Sequence, residues 1–169
     1  MSGVVVWLTG LPSSGKSTLS GRVAEALRSA GRAVVELDGD VVRAAIVPPH
    51  GYDDASRADF YETLARLAAA LAGQGLCVLV PATASRATFR ARARALAPRF
   101  VEVFVDVDPT ECARRDAKGL YARQVVDLPG ASATYERPTA PEVVATGSGD
   151  VARVVAAIDT ARRGTGVAT

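Results

Sequence analysis

Residues 10–17 read Gly-Leu-Pro-Ser-Ser-Gly-Lys-Ser, an order of residue types that can hold a chain of phosphates. Two glycines frame four residues and are followed at once by a lysine and a hydroxyl, the pattern whose backbone N–H groups cradle a nucleoside triphosphate. Gly10 and Gly15 let the backbone wrap an anion without Cβ clashes, with Leu11, Pro12, Ser13 and Ser14 forming the loop between them. Lys16 is long enough to reach the β- and γ-phosphates. The Ser17 hydroxyl, with Thr18 beside it, stands where a Mg²⁺ ligand belongs at the start of a helix. Further on, Asp38 and Asp40 flank a single glycine, and a carboxylate beside a bound phosphate can orient or deprotonate an attacking hydroxyl.

The elements on either side must position these groups. Residues 4–8 are an apolar run of buried-strand type, and residues 16–29 place Leu19, Val23, Ala26 and Leu27 on one helix face. A plain Gly/Ser turn between a core strand and a helix is the competing reading, and the strand–loop–helix setting argues against it. After a stop at Gly31, residues 33–37 read as a second strand, which puts Asp38 and Asp40 at its carboxyl end. Open α/β sheets bind ligands at that edge, so both acids are expected to face the crevice of the phosphate loop. Asp40 is the candidate base. Asp38 is expected to support Mg²⁺ through water, because no acidic residue closes the third strand. The plainer role for the pair is helix N-capping by Asp40, and the two roles are compatible.

Composition narrows the class. With 169 residues and 49% hydrophobic content the chain suits one domain with a full core, expected over residues 1–163. A net charge of +2 and the absence of a basic block argue against a nucleic-acid partner and for a small-molecule one. Cys77 and Cys112 form no metal or redox motif. Residues 4–8 are too short for a signal peptide's apolar region, and no run approaches the ~18 apolar residues of a membrane span; a cytoplasmic protein without a membrane partner is expected. Of twenty Lys and Arg residues only Lys16 and Lys118 are lysines. A compact point charge kept against that bias suggests a geometric need at both places.

Further along, residues 41–46 read as a short helix with Arg43, 48–54 as a surface loop able to cover a substrate, and 56–72 as a long helix. That helix carries Phe60, Leu64, Leu67 and Leu71 on its apolar stripe. A third strand, 76–80, stops at Pro81. Arg86, Arg90 and Arg94 recur at helical spacing over 86–97, read as a solvated face. Strand four is 100–105, followed by a helix from 110 to 115. Residues about 115–142 contain turn-formers and little periodicity, as a mobile lid would. A last strand at 143–146, a helix over 150–163 and a frayed tail over 164–169 complete the chain. Alternating strands and helices predict a three-layer α/β/α P-loop fold with a mainly parallel sheet of about five strands.

Taken together, the phosphate loop, Leu37-Asp-Gly-Asp-Val-Val-Arg43, Gly51-Tyr52, Arg57, Phe100-Val-Glu-Val-Phe-Val-Asp106, Arg115-Asp-Ala-Lys-Gly-Leu-Tyr121 and Tyr135-Glu-Arg-Pro138 resemble the adenylylsulfate (APS) kinase family, in the same order and over residues 4–146. The resemblance implies transfer of the γ-phosphoryl of ATP to the 3′-hydroxyl of adenosine 5′-phosphosulfate, with Mg²⁺, in a homodimer. It implies that Arg43 and Arg57 grip the acceptor's anionic groups, that Tyr52 stacks on its adenine, and that Lys118 closes over the phosphates with Arg115 or Arg114. It also implies that Thr146 and Gly147 meet the base of ATP.

The departures from the family's pattern lie on the acceptor side. Phe60 stands where the family has an asparagine that contacts the acceptor. The segment between Tyr121 and Tyr135 is shorter than usual, and Leu128-Pro129-Gly130 replaces a segment whose phenylalanine stacks on the acceptor base. Losing one ring and one amide costs about 1–3 kcal/mol together. A same-fold kinase for another hydroxyl acceptor and a non-catalytic nucleotide-binding regulator are therefore the alternative readings.

Overall fold

The computed structural model describes residues 3–116, 118–125, 128–130, 133–147 and 149–164. The elements run β1 (Val4–Thr9), α1 (Lys16–Ser29), β2 (Val34–Glu36), α2 (Gly39–Ala45), α3 (Asp54–Gly73), β3 (Cys77–Pro81), α4 (Ala87–Leu96), β4 (Phe100–Val105), α5 (Pro109–Arg115), β5 (Val143–Ala145) and α6 (Val151–Arg163). The sheet order is β2-β3-β1-β4-β5, and every pairing is parallel. The predicted fold class is the observed one. The expected frayed tail falls, from residue 165 onward, outside the described residues.

The central strand shows why the fold has three layers. All six residues of β1 are buried, and successive side chains point to opposite faces. Val4, Val6 and Leu8 pack with α1 and α6 through Leu19, Val23, Leu27, Val154 and Ile158. Val5 and Trp7 pack on the other face with Phe60, Leu64, Ala65 and Ala68 of α3 and Ala93 of α4. A parallel strand covered by helices on both faces reads as a continuous apolar run, which is what residues 4–8 are.

Four expectations change. The residue that caps α2 is Asp38, not Asp40: β2 ends early enough that the Asp38 carboxylate accepts the amides of Asp40 (2.9 Å) and Val41 (3.4 Å). The long helix begins at Asp54, capped by Asp53, whose carboxylate accepts from the Ser56 amide. Its buried seam runs through Phe60, Leu64, Ala65, Ala68 and Ala72, while Leu67 is exposed. The arginines of α4 are not all on a solvated face. Arg90 is buried and donates to Glu102 Oε1 (2.9 Å) and to the carbonyls of Ala84 (2.6 Å) and Glu136 (2.6 Å), and Arg94 holds Glu142 through two bonds. Arg86 and Arg94 keep exposed positions, paired with Asp54 and Glu142, so the solvated-face reading fails at Arg90.

Candidate active site

The phosphate loop leaves β1 at Thr9 and enters α1 at Lys16. Gly10 has no room for a side chain, since a Cβ there would lie 2.6 Å from the Val105 carbonyl oxygen of β4. Gly15, at φ 96°, supplies the left-handed turn into α1. Lys16 folds back over the loop and donates to the carbonyls of Gly10 (2.9 Å) and Leu11 (2.8 Å). Burial of the ammonium, reinforced by the neighbouring charge of Lys118, lowers its pKa to about 7, and Cys112 and Asp38 oppose the shift only in part.

Ser17 donates to Asp38 Oδ2 at 2.8 Å, which ties the start of α1 to the carboxyl end of β2. One Asp38 oxygen thus caps α2 while the other meets Ser17. Among the described residues no group of three or more His, Cys, Asp or Glu side chains forms a metal cage. One hydroxyl and one carboxylate suit Mg²⁺, which keeps several waters and takes its remaining oxygens from phosphate. The donor set therefore fits that ion. Thr18 is exposed beside Ser17, and Ser14 is buried with no partner for its hydroxyl among the described residues.

The end of α5 and the connection that follows it each meet the loop. Arg115 Nη1 approaches the Ser14 carbonyl at 3.5 Å, and the Tyr121 hydroxyl donates to the Pro12 carbonyl at 3.1 Å. Arg114 turns away, with two 2.7 Å bonds to Glu111. Between the two arginines left open by the sequence, Arg115 is the one at the phosphate loop. Asp116 accepts the amides of Tyr121 (3.0 Å) and Ala122 (2.9 Å), a turn that carries Lys118 onto the Asp40 carboxylate. At the far edge the Thr146 amide donates to Asp150 Oδ2 (3.0 Å), with Gly147 following.

On the acceptor side the Arg43 guanidinium lies between two rings, 3.9 Å from the Phe60 centroid and 4.6 Å from that of Tyr52. Phe60 is 2% exposed, so it lines no surface of its own, and Leu128 is likewise buried. Tyr52 is 67% exposed, the reverse of a residue packed on the core. Arg57 is half-buried in the first turns of α3.

Sequence reasoning gave no role to Thr9, Thr83 or Glu136. Thr9 donates to the Thr83 carbonyl and shares a 2.8 Å bond with the Tyr135 hydroxyl, while Glu136 accepts from the Ala87 amide and donates its own amide to Ser85. These bonds fasten residues 135–136 to the loop after β3. The Tyr135-Glu136 pair was visible as a motif, but nothing local in it names partners so far away in the chain.

Comparison with known proteins shows the family of the chain. The model of a family described as adenylylsulphate kinase matches residues 2–146. The bifunctional enzyme NodQ of Azospirillum brasilense is 40% identical over 145 residues, 82% of this chain and 23% of that protein, so the chain spans about a quarter of such relatives. The adenylyl-sulfate kinase of Citrobacter koseri is 39% identical over 171 residues, 96% of this chain and 84% of that one. Among solved structures, the Mycobacterium tuberculosis APS kinase CysC in complex with AMPPNP and APS is 33% identical, with a TM-score of 0.87 covering 94% of this chain and 98% of that one.

Proposed function

Since the chain belongs to the adenylylsulphate kinase family, we propose that it transfers the γ-phosphoryl of ATP to the 3′-hydroxyl of APS, giving 3′-phosphoadenosine 5′-phosphosulfate and ADP. The observation that carries this reading is the meeting of Asp40 and Lys118 at the sheet edge that also holds Lys16 and the Ser17–Asp38 pair.

In the proposed reaction the loop from Gly10 to Thr18 holds the phosphates, and Lys16 exchanges its carbonyl partners for their oxygens. Ser17 and, through water, Asp38 would hold Mg²⁺, which supplies charge neutralisation on the β- and γ-phosphates. Asp40 accepts the proton of the attacking 3′-hydroxyl as the new O–P bond forms and the bond to the bridging oxygen breaks. Lys118 and Arg115, on the lid formed by residues 115–142, stabilise charge on the transferring group and exclude water. Arg43 and Arg57 hold the acceptor's anionic end and Tyr52 its adenine, while Thr146 and Gly147 lie against the base of ATP.

One observation favours a second acceptor. With Leu128 buried, Tyr52 is the exposed aromatic wall, which weakens discrimination for an adenine and admits another hydroxyl compound. ADP release measured with APS and with a panel of hydroxyl acceptors separates the readings: turnover confined to APS supports the first, and turnover with another acceptor alone replaces it. The same proposal places the enzyme in the cytoplasm, as a homodimer without nucleic-acid or membrane partners. In support, Cys77 and Cys112 are free buried thiols, and no described helix is long and apolar enough to cross a membrane.

A further inference from the structure

We propose that Phe60 is a positioning residue that, with Tyr52, clamps Arg43 edge-out, so that recognition of the acceptor's anionic end depends on a buried ring that never touches it. This rests on the reading of Arg43 as an acceptor-binding residue.

A guanidinium has two faces and an edge bearing five N–H groups. Two rings lie against the Arg43 guanidinium, with Cζ over Phe60 at 3.9 Å and over Tyr52 at 4.6 Å. Along the edge, Nη1 donates to the carbonyls of Gly51 (2.9 Å) and His50 (3.5 Å), which fixes rotation within the plane. Among the described residues the acceptors of Arg43 are these two carbonyls, both met by Nη1, which leaves Nε and Nη2 as the side-on pair of N–H groups, a fork available to a ligand. Two oxygens of one phosphoryl or sulfuryl group match such a fork.

The clamp is rigid on one side. Phe60 is fixed in α3 by edge contacts with Tyr61 (5.3 Å) and His50 (6.4 Å) and is almost fully buried. Guanidinium faces are weakly hydrated, so covering them sacrifices little solvation. An ammonium cannot be held this way, because it has no plane to clamp. In place of the amide that the family resemblance implies at position 60, this chain therefore carries a ring that orients an existing cation. One direct hydrogen bond is exchanged for preorganisation of another.

Steady-state kinetics on the full chain, with APS and ATP varied in turn, tests this. Phe60→Leu keeps an apolar core residue and removes the ring face. It is expected to raise KM for APS about tenfold, with KM for ATP and kcat within about twofold. In an Arg43→Lys background Phe60→Leu should change KM for APS no further. A purely structural role for Phe60 would leave KM for APS unchanged in the first case. If Arg43→Lys raises KM for APS and Phe60→Leu does not, the clamp is overturned while the kinase reading stands. If Arg43→Lys leaves KM for APS unchanged, the acceptor role of Arg43 fails and the clamp with it. A measurement independent of the folding of any Phe60 variant is the Nε–H resonance of Arg43 in the wild-type protein, assigned by its loss in Arg43→Lys. Sandwiched between rings it is shifted by ring currents, and a random-coil position would also overturn the proposal.

Discussion

Lys118 rests on the carboxylate of Asp40, so the lysine of the α5–β5 connection and the acid at the start of α2 occupy one another when no ligand lies between them. Both are exposed, and an exposed pair adds little stability. Its value is positional, since it brings a cation and a base to the point where phosphoryl transfer would occur. Lys118→Ala is expected to lower kcat by about 10²–10³ while ATP affinity changes little. Asp40→Asn should lower kcat by about 10²–10⁴ with the fold intact. Stopped-time assays with ATP and APS, alongside ATP binding by calorimetry, read both, and an unchanged kcat for either variant would remove that residue from the chemistry.

The lowered pKa of Lys16 makes nucleotide binding pH-dependent. In the free protein the ammonium is half neutral near pH 7, because burial and Lys118 disfavour its charge. Bound phosphates favour the charged form and raise the pKa again, so ATP binding takes up a proton above pH 7. Affinity should be flat below about pH 7 and fall by up to about tenfold per unit above it. Titration at pH 8 in two buffers of different ionisation heat would show the uptake, and no difference between buffers would contradict it. The same shift also affects folding. Between about 7 and 10.5 the unfolded chain binds more protons at this lysine, so its destabilising contribution fades as pH rises through that window.

Asp38→Asn separates two tasks of one side chain. Asparagine still caps α2, but it removes the charge that meets Ser17 and that, in the proposed function, orients the water shell of Mg²⁺. The Mg²⁺ concentration for half-maximal rate is expected to rise about 10–100-fold, with little change in thermal midpoint. An unchanged Mg²⁺ requirement would leave Asp38 as a cap alone.

Arg90→Met should destabilise the fold by about 3–5 kcal/mol, because it leaves the buried Glu102 carboxylate with the longer 3.5 Å contact to Arg94 and frees the carbonyls of Ala84 and Glu136. Adding Glu102→Leu should recover part of that loss. Urea midpoints for the single and double variants provide the check, and a wild-type midpoint for Arg90→Met would contradict the network.

These outcomes also mark what the sequence can express. The bounds of α1 were legible to the residue, and the strands nearly so, because buried parallel strands are short apolar runs with clear stops. The placement of Lys16, Ser17, Asp38 and Asp40 at one sheet edge was legible because they obtain their positions from elements a few residues away. Arg90 was misread because its spacing with Arg86 and Arg94 is that of a solvated helix face, and its partners Glu102 and Glu136 lie on other elements. Nothing local distinguishes Asp38 from Asp40 as the cap, since that depends on where β2 ends. Nor could periodicity choose Arg115 over Arg114, which follows from the angle at which α5 passes the phosphate loop. The burial of Phe60 was legible in the apolar stripe of α3, whereas its place under Arg43 is a tertiary fact.

The central claim is transfer of a phosphoryl group to one hydroxyl. Incubation with ATP labelled at the γ-phosphate and APS, followed by ³¹P NMR and a nuclease specific for 3′-phosphates, tests it most directly. Label confined to the 3′-position, and lost with Asp40→Asn, is the predicted result. Label released only as inorganic phosphate at the same rate with and without APS would contradict it.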